Sequence, residues 1–214
     1  MSPTVFVVDD DPAVRDSLRL LLESVGLTVA TFAAAHQFLD AADPGQPGCV
    51  LLDIRMPGMS GLELQRRLLT RGINLPVIII TGHGDVTTAV QAMKTGAVDF
   101  LEKPFNDQVL LDLIHDAINR DLDFRRTSAE QSEVKRRLAS LSPREAEVLE
   151  LIIAGKANKV IAYELNIREK TVEAHRAKIM DKMHARAAAD LVRIVTLYRS
   201  IHPENEHAIS ADML

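Results

Sequence analysis

The first 124 residues alternate between short apolar runs and segments with helical periodicity. Five runs are dominated by branched or other apolar residues: TVFVV, VATF, GCVLLD, PVIIIT and VDFL. Between the runs, apolar residues recur every three or four positions, as Val14, Leu18 and Leu21 do. Apolar strands that alternate with helices are typical of a parallel sheet covered on both faces. We therefore predict an α/β domain with a doubly wound, five-stranded parallel sheet over residues 1–124.

The pattern becomes purely helical after this domain. Residues 125–140 are polar and contain no glycine or proline, so we predict a helical linker, with a flexible coil as the alternative. Four helical segments follow within residues 141–201: SPREAEVLELIIAG, NKVIAYELN, EKTVEAHRAKIMDKM and AAADLVRIVTLYRSI. Ser142 and Glu145 have the spacing of a capping box at the start of the first segment. We predict a small all-α domain here, followed by a flexible tail over residues 202–214.

Length and composition agree with two globular domains. The chain has 214 residues, of which 47% are hydrophobic and 26% charged. No apolar stretch approaches the roughly 20 residues that a membrane-spanning helix needs, and the N-terminus lacks the pattern of a secretory signal. The single cysteine, Cys49, cannot form an internal disulfide. We therefore expect a cytoplasmic protein with no membrane partner.

Charge is divided unevenly between the two halves. Residues 1–124 contain 9 basic and 17 acidic residues, whereas residues 125–140 contain 5 and 2 and residues 141–200 contain 11 and 8. The first half is therefore strongly acidic and the second mildly basic. This asymmetry indicates that the two domains have different partners.

Polar side chains follow four of the predicted strands. Asp9 and Asp10 follow the first strand, Asp53 ends the third, Thr81 ends the fourth, and Lys103 follows the fifth. The carboxyl ends of parallel strands share one edge of the sheet, where such folds bind their ligands. Clustered carboxylates attract a divalent cation, and all-oxygen ligands favour Mg²⁺ or Mn²⁺. A lysine and a threonine beside them suit a phosphoryl group, so we predict that Asp53 is a nucleophile that becomes phosphorylated.

Taken singly, each of these residues is also an ordinary cap, turn or core residue, and the prediction depends on their combination. Asp11, for instance, is better explained as the N-cap that precedes Pro12 at the start of a helix. The ordered set VVDDD, LLDIRMPGMSG, IIITGHGD and FLEKPF resembles the receiver domain of two-component response regulators, a flavodoxin-like fold. The resemblance covers residues 1–124 and implies that a sensor histidine kinase donates the phosphoryl group to Asp53.

The resemblance also implies roles for neighbouring residues. Asp10, Asp53 and the backbone carbonyl of Arg55 would bind Mg²⁺, with Asp9 acting through water. Thr81 and Phe100 would form a switch pair in which the hydroxyl turns toward the phosphoryl group and the ring turns inward. The peptide bond between Lys103 and Pro104 would be cis, and His83 would tune dephosphorylation.

The second and third helical segments of the all-α domain have helix-turn-helix spacing. A short turn at Asn166–Ile167 separates NKVIAYEL from a helix that begins near Glu169. The second helix of this motif normally lies in the DNA major groove. Its polar face carries one glutamate and four basic residues: Lys170, Glu173, Arg176, Lys178 and Lys182. A solvated, charged helix without a ligand is the alternative for such a face taken alone.

The pattern from LSPREAEVL to KTVEAHRAKIMDKM resembles the LuxR-type helix-turn-helix of the FixJ/NarL class of response regulators. TVEAHRA followed by DLVRI is most similar to the FixJ branch, which implies transcriptional activation and therefore RNA polymerase as a partner. By position, Glu173, Ala174 and Ala177 would face base edges. The candidates for phosphate contacts are Lys159, Thr171, His175, Arg176, Lys178 and Lys182. Arg168, which stands before the recognition helix, is a poor N-cap.

These observations predict a DNA-binding response regulator and not an enzyme. Phosphorylation would expose a surface around the fourth helix and the fifth strand, and the resulting homodimer would bind two half-sites in double-stranded promoter DNA. An aspartyl-phosphate phosphatase is disfavoured because Arg55 stands where such an enzyme needs a second acid. A helical domain that makes only protein contacts is the remaining alternative.

Overall fold

The computed structural model describes residues 1–82 and 86–202, except for the side chains of residues 86–89. The chain divides into two compact units, with the boundary between Arg126 and Thr127. The first unit contains strands β1 to β5 and helices α1 to α4, with α5 shared across the boundary. In chain order they are β1 (Thr4–Val8), α1 (Pro12–Ser24), β2 (Thr28–Phe32), α2 (Ala35–Ala41), β3 (Gly48–Asp53), α3 (Gly61–Thr70), β4 (Val77–Thr81), α4 (Val86–Lys94), β5 (Asp99–Glu102) and α5 (Asp107–Ala139).

The sheet is parallel throughout, with strand order β2-β1-β3-β4-β5. Side chains of one face, such as Val8 and Leu52, pack with α2, α3 and α4, and those of the other face, such as Val7 and Leu51, pack with α1 and α5. Both faces are therefore buried, as the unbroken apolar runs of β3 and β4 require. The predicted doubly wound α/β fold is confirmed. The strand order reverses direction at β1 and β3, which places the ligand-binding edge beside the carboxyl ends of these two strands.

Helix starts follow the predicted capping residues. The side chain of Asp11 accepts a hydrogen bond from the backbone N–H of Ala13 at 2.8 Å, immediately before Pro12. Ser142 and Glu145 form a complete capping box. Residues 125–139, within the predicted linker, are helical and belong to α5. The predictions for His83 and for the tail beyond His202 fall outside the described residues.

Up to His202, the second unit packs four further helices around one apolar cluster: α6 (Pro143–Ile153), α7 (Asn158–Glu164), α8 (Glu169–Met183) and α9 (Ala188–Ile201). Val172, Ile179 and Met183 form the buried stripe of α8, as its periodicity indicates. Asn166, in the turn between α7 and α8, has a positive φ of 51°, a conformation that asparagine tolerates better than most residues. Across the described residues, no helix is long and apolar enough to span a membrane.

Glu145 holds two parts of the second unit together. The residue is only 4% exposed. Its side chain accepts hydrogen bonds from Lys182 Nζ at 2.6 Å and from the backbone N–H of Ser142 at 2.8 Å. These two contacts lower the pKa of Glu145 from 4.5 to about 2. Lys182 Nζ also donates to the backbone carbonyl of Ser140 at 2.9 Å. The end of α8 is thus fastened to the start of α6.

We predict that Glu145→Gln lowers the unfolding free energy of the second unit at pH 7 by about 1–2 kcal/mol, because the neutral amide can keep the capping bond but loses the charged contact with Lys182. Because the folded pKa of Glu145 lies below the usual value, its stabilisation is present above pH 4.5 and disappears as the pH falls toward 2. The difference in unfolding free energy between wild type and variant should therefore shrink between pH 4.5 and pH 2. Both tyrosines of the chain lie in the second unit and there is no tryptophan, so tyrosine fluorescence reports on this unit.

Glu164→Gln is the matched control, because Glu164 pairs with Lys156 at the surface and such pairs contribute little. It should change the unfolding midpoint only slightly at every pH. An equal effect of the two substitutions would contradict the role given to Glu145.

Candidate functional site

Asp53 is the last residue of β3, and its carboxylate lies at the predicted edge of the sheet. The residue is 8% exposed. Its Oδ1 accepts a hydrogen bond from Lys103 Nζ at 3.0 Å, and its Oδ2 accepts one from the backbone N–H of Arg55 at 2.7 Å. Both carboxylate oxygens of this nearly buried acid are therefore bound. This arrangement holds the carboxylate in one orientation at the mouth of the site.

Lys103 joins the ends of β1 and β3. Besides Asp53, its Nζ binds Oδ2 of Asp9 at 2.8 Å, and Asp9 is only 3% exposed. The other oxygen of Asp9 accepts a hydrogen bond from the backbone N–H of Asp11 at 2.9 Å. The peptide bond between Lys103 and Pro104 is cis, as the resemblance implies. One lysine thus bridges two nearly buried carboxylates.

The structure brings three of the predicted pocket residues into direct contact and places the others around them. Asp9, Asp53 and Lys103 are in contact, whereas Asp10 is exposed beside them at the end of β1. Thr81 is 3% exposed at the end of β4, and its hydroxyl donates to the carbonyl of Gly82 at 3.2 Å. The remaining two candidates lie toward solvent: Arg55 is exposed, and Phe100, on β5, is 40% exposed.

Arg15 belongs to this site, although the sequence analysis did not include it. Its Nη1 donates to the backbone carbonyl of Asp9 at 2.7 Å. Arg15 is on α1, four residues after the N-cap Asp11, so it lies one turn above the start of the helix. That spacing is the only sequence signal for the contact, because an arginine on an amphipathic helix is usually solvated. By binding a carbonyl and not a carboxylate, Arg15 fixes the backbone of the acidic loop.

Burial is the main influence on the ionisation of Asp53. It raises the pKa of this carboxyl above its usual value, although the hydrogen bond and the charge of Lys103 act in the opposite direction. For Lys103, burial lowers the pKa, but its bonds to Asp9 and Asp53 outweigh this effect and the net change is upward. The lysine therefore stays charged, while the ionised form of Asp53 carries a desolvation cost.

The second candidate site is the exposed face of α8. Six predicted DNA-contact residues on α8 and one on α7 are exposed: Lys170, Thr171, Glu173, Ala174, Ala177, Lys178 and Lys159. His175 and Arg176 are partly buried, and Nδ1 of His175 is buried without a hydrogen-bond partner. The N-cap of α8, Arg168, makes no side-chain capping bond, which agrees with its expected weakness as a cap.

Lys182 differs from the other predicted phosphate contacts. Its Nζ is bound to Glu145 and to the carbonyl of Ser140, so its charge is already paired within the second unit. A lysine at the end of a helix of this composition looks solvated from the sequence, because its partner lies 37 residues away. We therefore remove Lys182 from the set of candidate DNA contacts and assign it a structural role.

Comparison with known proteins identifies the family. Residues 5–115 match the response regulator receiver domain, which is more than half of the chain. The chain belongs to the response regulators. Residues 139–195 match the bacterial regulatory proteins of the luxR family. This response regulator therefore combines a receiver with a LuxR-type DNA-binding domain, and like its relatives it is a transcriptional regulator that phosphorylation activates and not an enzyme.

Several relatives are similar along almost the whole chain. The transcriptional regulatory protein FixJ of Azorhizobium caulinodans is 50% identical over 193 residues, which cover 90% of this chain and 92% of that protein. The transcriptional regulatory protein TdiR of Thauera aromatica is 46% identical over 90% of this chain and 85% of its own. Among solved structures, the response regulator StyR has a TM-score of 0.89 at 47% identity, covering 92% of this chain and 100% of its own. Full-length FixJ from B. japonicum has a TM-score of 0.58 at 46% identity, with 94% and 99% covered.

Receivers bind Mg²⁺ in their acidic pocket, and the donor atoms of this response regulator suit that ion. Its described residues contain no cluster of three or more histidine, cysteine, aspartate or glutamate side chains placed to hold a metal. Mg²⁺ does not need such a cluster, because this ion commonly binds one or two carboxylates and retains several waters. Asp53, the exposed Asp10 and the backbone carbonyl of Arg55 offer oxygen atoms of the required kind.

We predict that Asp53→Asn raises the unfolding midpoint of the receiver at pH 7 in EDTA. The pKa of Asp53 is higher in the folded than in the unfolded chain, so the folded state binds the proton more tightly and loses stability as the pH rises through that pKa. The gain should therefore shrink as the pH is lowered toward 4. Circular dichroism at 222 nm measures the midpoint, and tyrosine fluorescence separates the second unit from it.

Asp11→Asn is the control, because asparagine caps helices as well as aspartate does and Asp11 is an exposed cap. It should leave the midpoint unchanged at both pH values. A lower midpoint for Asp53→Asn at pH 7 would show that the ionised carboxylate stabilises the fold, contrary to this prediction.

Proposed function

We propose that Asp53 accepts a phosphoryl group from a sensor histidine kinase and that its phosphorylation converts the chain into a DNA-binding homodimer. The observation that carries the proposal is the contact of Asp53 with Lys103 at the ligand-binding edge of the sheet. Response regulators interact with sensor kinases and DNA, and this chain has a LuxR-type domain for the second partner. We also infer a cytoplasmic location, which is usual for the family.

The geometry around Asp53 suits nucleophilic attack on phosphorus. The N–H of Arg55 and the ammonium of Lys103 orient the two oxygens, so the carboxylate is held in position before the donor arrives. In the transfer, an Asp53 oxygen forms the new P–O bond, the bond from phosphorus to the donor's imidazole nitrogen breaks, and that nitrogen takes up a proton. Lys103 neutralises charge on the phosphoryl oxygens.

Asp10, Asp53 and the backbone carbonyl of Arg55 are the residues that would hold Mg²⁺ or Mn²⁺, with Asp9 acting through water. When bound, the ion supplies further neutralisation of the phosphoryl oxygens. Arg15 supports this set indirectly, because it fixes the carbonyl of Asp9 next to Asp10.

Thr81 and Phe100 form the proposed switch. The Thr81 hydroxyl, bonded only weakly at 3.2 Å to a neighbouring carbonyl, turns toward the phosphoryl group. The space that it leaves accepts the ring of Phe100, which is 40% exposed before the change. The surface that responds contains α4 and β5, where Val90 and Met93 are 48% and 38% exposed. Apolar side chains exposed together on one surface are typical of a protein interface, and we propose that a second copy covers them.

In the homodimer, each α8 enters the major groove of one half-site. Glu173, Ala174 and Ala177 face base edges, and Glu173 accepts a hydrogen bond from a cytosine amino group. The proposed phosphate contacts are Lys159, Thr171, His175, Arg176 and Lys178, and Lys170 is a further DNA-contact residue. Two weak DNA-binding domains on one DNA molecule bind far more tightly than one, because the second binds at high effective concentration. Similarity to FixJ supports activation and contact with RNA polymerase.

We predict that beryllofluoride and Mg²⁺ shift the wild-type chain from monomer to dimer in sedimentation velocity. Asp53→Asn should remain monomeric under the same conditions, because it has no carboxylate to which beryllium can bind. Wild type without Mg²⁺ is the second control. A shift in both proteins, or in neither, would separate assembly from Asp53 and would contradict the proposed switch.

We predict that Lys178→Ala weakens DNA binding about equally for all sequences and reduces the salt dependence by about one counterion per subunit. The probe is a duplex selected from a random pool by the phosphorylated wild type, with affinity measured by fluorescence anisotropy at several salt concentrations. Lys182→Ala should keep the wild-type salt slope and lower thermal stability instead, because its charge is paired with Glu145. Unchanged DNA binding in Lys170→Ala/Arg176→Ala/Lys178→Ala would favour a domain that makes only protein contacts.

A further inference from the structure

The apolar packing of α5 against the receiver ends well before the helix does. Four buried apolar residues of α5 belong to the receiver core: Leu110, Ile114, Ala117 and Ile118. The next buried residue is Asp121, at 2% exposed, whereas Leu122 and Phe124 are 40% and 54% exposed. The last turn of α5 in the first unit is therefore held by a carboxylate and not by hydrophobic contact.

Asp121 and Arg125 bind the backbone of the segment that precedes β3. Asp121 Oδ2 accepts hydrogen bonds from the N–H of Gly48 and from Nε of Arg125, each at 2.8 Å. Nη1 and Nη2 of Arg125 donate to the carbonyls of Pro44 and Gln46, again at 2.8 Å. All three nitrogens of the guanidinium group are used. We call this set of four hydrogen bonds the Asp121–Arg125 clamp.

The segment that the clamp grips is fixed to the sheet. Gly48 begins β3 with a φ of +149°, and a Cβ there would lie 1.9 Å from the carbonyl oxygen of Thr4, so no other residue fits. The N–H of Thr4 also donates to the carbonyl of Pro47 at 2.9 Å. The clamp thus attaches α5 to the backbone at the point where β1 and β3 begin.

A polar clamp at this place has a cost that an apolar contact would avoid. The Asp121 side chain is 1% exposed in its ion pair with Arg125, and its Oδ1 is buried without a hydrogen-bond partner. Buried ion pairs often add little stability compared with apolar residues of the same size, but they demand one specific geometry. The clamp is therefore better suited to fixing how α5 leaves the receiver than to stabilising it.

β3 connects the clamp to the phosphorylation site, because Gly48 is its first residue and Asp53 its last. From the clamp, α5 continues to Ala139, beyond the boundary of the two units, and Leu138 packs on the core of the second unit. We propose that Asp121 and Arg125 are positioning residues that couple phosphorylation of the receiver to DNA binding, by keeping α5 helical and attached to β3 where it leaves the first unit. This rests on the function proposed above.

The test compares Arg125→Ala with Arg126→Ala in the full chain. Arg126 is the matched control, because it is the adjacent residue on α5 but pairs with Asp123 in a fully solvated contact, with side chains 73% and 75% exposed. The first measurement is amide hydrogen exchange. Arg125→Ala should speed exchange in residues 119–130 by about tenfold or more and leave residues 107–118 as in the wild type, whereas Arg126→Ala should change neither.

The second measurement is the ratio of the dissociation constants for the selected duplex without and with beryllofluoride. In the wild type this ratio should be about ten or more. A wild-type ratio of one would refute the proposed function. The hydrogen-exchange data would then still test whether the clamp holds α5. In Arg125→Ala the ratio should fall severalfold below that of the wild type but stay above one, because beryllofluoride still dimerises the receiver and dimerisation alone keeps two DNA-binding domains at high effective concentration. Arg125→Lys, which keeps the charge but loses the planar fork, should lie between them.

A ratio in Arg125→Ala equal to that of the wild type would overturn the proposal. So would failure of Arg125→Ala and Arg125→Lys to dimerise with beryllofluoride, since the clamp would then be part of the receiver's stability alone. An equal fall of the ratio in Arg126→Ala would show that any loss of charge from α5 has this effect. That result would also overturn the proposal.

Discussion

The ion pairs of Lys103 with Asp9 and Asp53 are the contacts on which the function proposed for the first unit depends. They join residues that are 94 and 50 positions apart in the chain and that follow or end three different strands. The parallel sheet brings these strand ends together, but it also brings two nearly buried carboxylates close to one another. Their repulsion and desolvation would oppose folding if no cation lay between them. Lys103 removes most of that conflict, and what remains is a carboxylate whose ionised form is less stable than in water.

That remaining cost has a chemical use. Asp53 is held by two hydrogen bonds yet still carries a raised pKa, so its ionised form would be stabilised when a divalent cation enters the site. The binding of such a cation would then be more favourable than in a pocket where protein groups already neutralised the carboxylate fully. Residues at functional sites commonly depart from the most stable choice in this way. Glu145 differs from Asp53, because its contacts with Lys182 and Ser142 lower its pKa. Its ionised form is therefore stabilised, and the residue has only a structural role.

The sequence was sufficient to predict the fold and the meeting of Asp9, Asp53 and Lys103 at one edge of the sheet, but not Arg15 or the other contacts of these residues. Apolar runs of four to six residues define the strands, and parallel topology alone places Asp9, Asp53 and Lys103 at one edge. Which of Asp9 and Asp10 is buried depends on a one-residue register that the run VVDDD leaves open. Lys182 looks like a solvated lysine on a helix, because the periodicity of α8 gives its face but not its partner. Contacts across long separations in the chain are thus the part that local patterns do not contain.

The Asp121–Arg125 clamp is a second example of contacts across a long separation that the local sequence pattern does not contain. Residues 119–126 look like an ordinary polar stretch of helix, and their composition suits a linker. Yet the guanidinium of Arg125 reaches two carbonyls about 80 residues earlier in the chain, at the opposite end of β3 from Asp53. The strand that ends in Asp53 is therefore bound at one end by Lys103 and at the other by α5. Because a buried polar pair demands one specific geometry, an attachment of this kind at the point where the apolar contacts of α5 end suits the coupling that we propose for this helix.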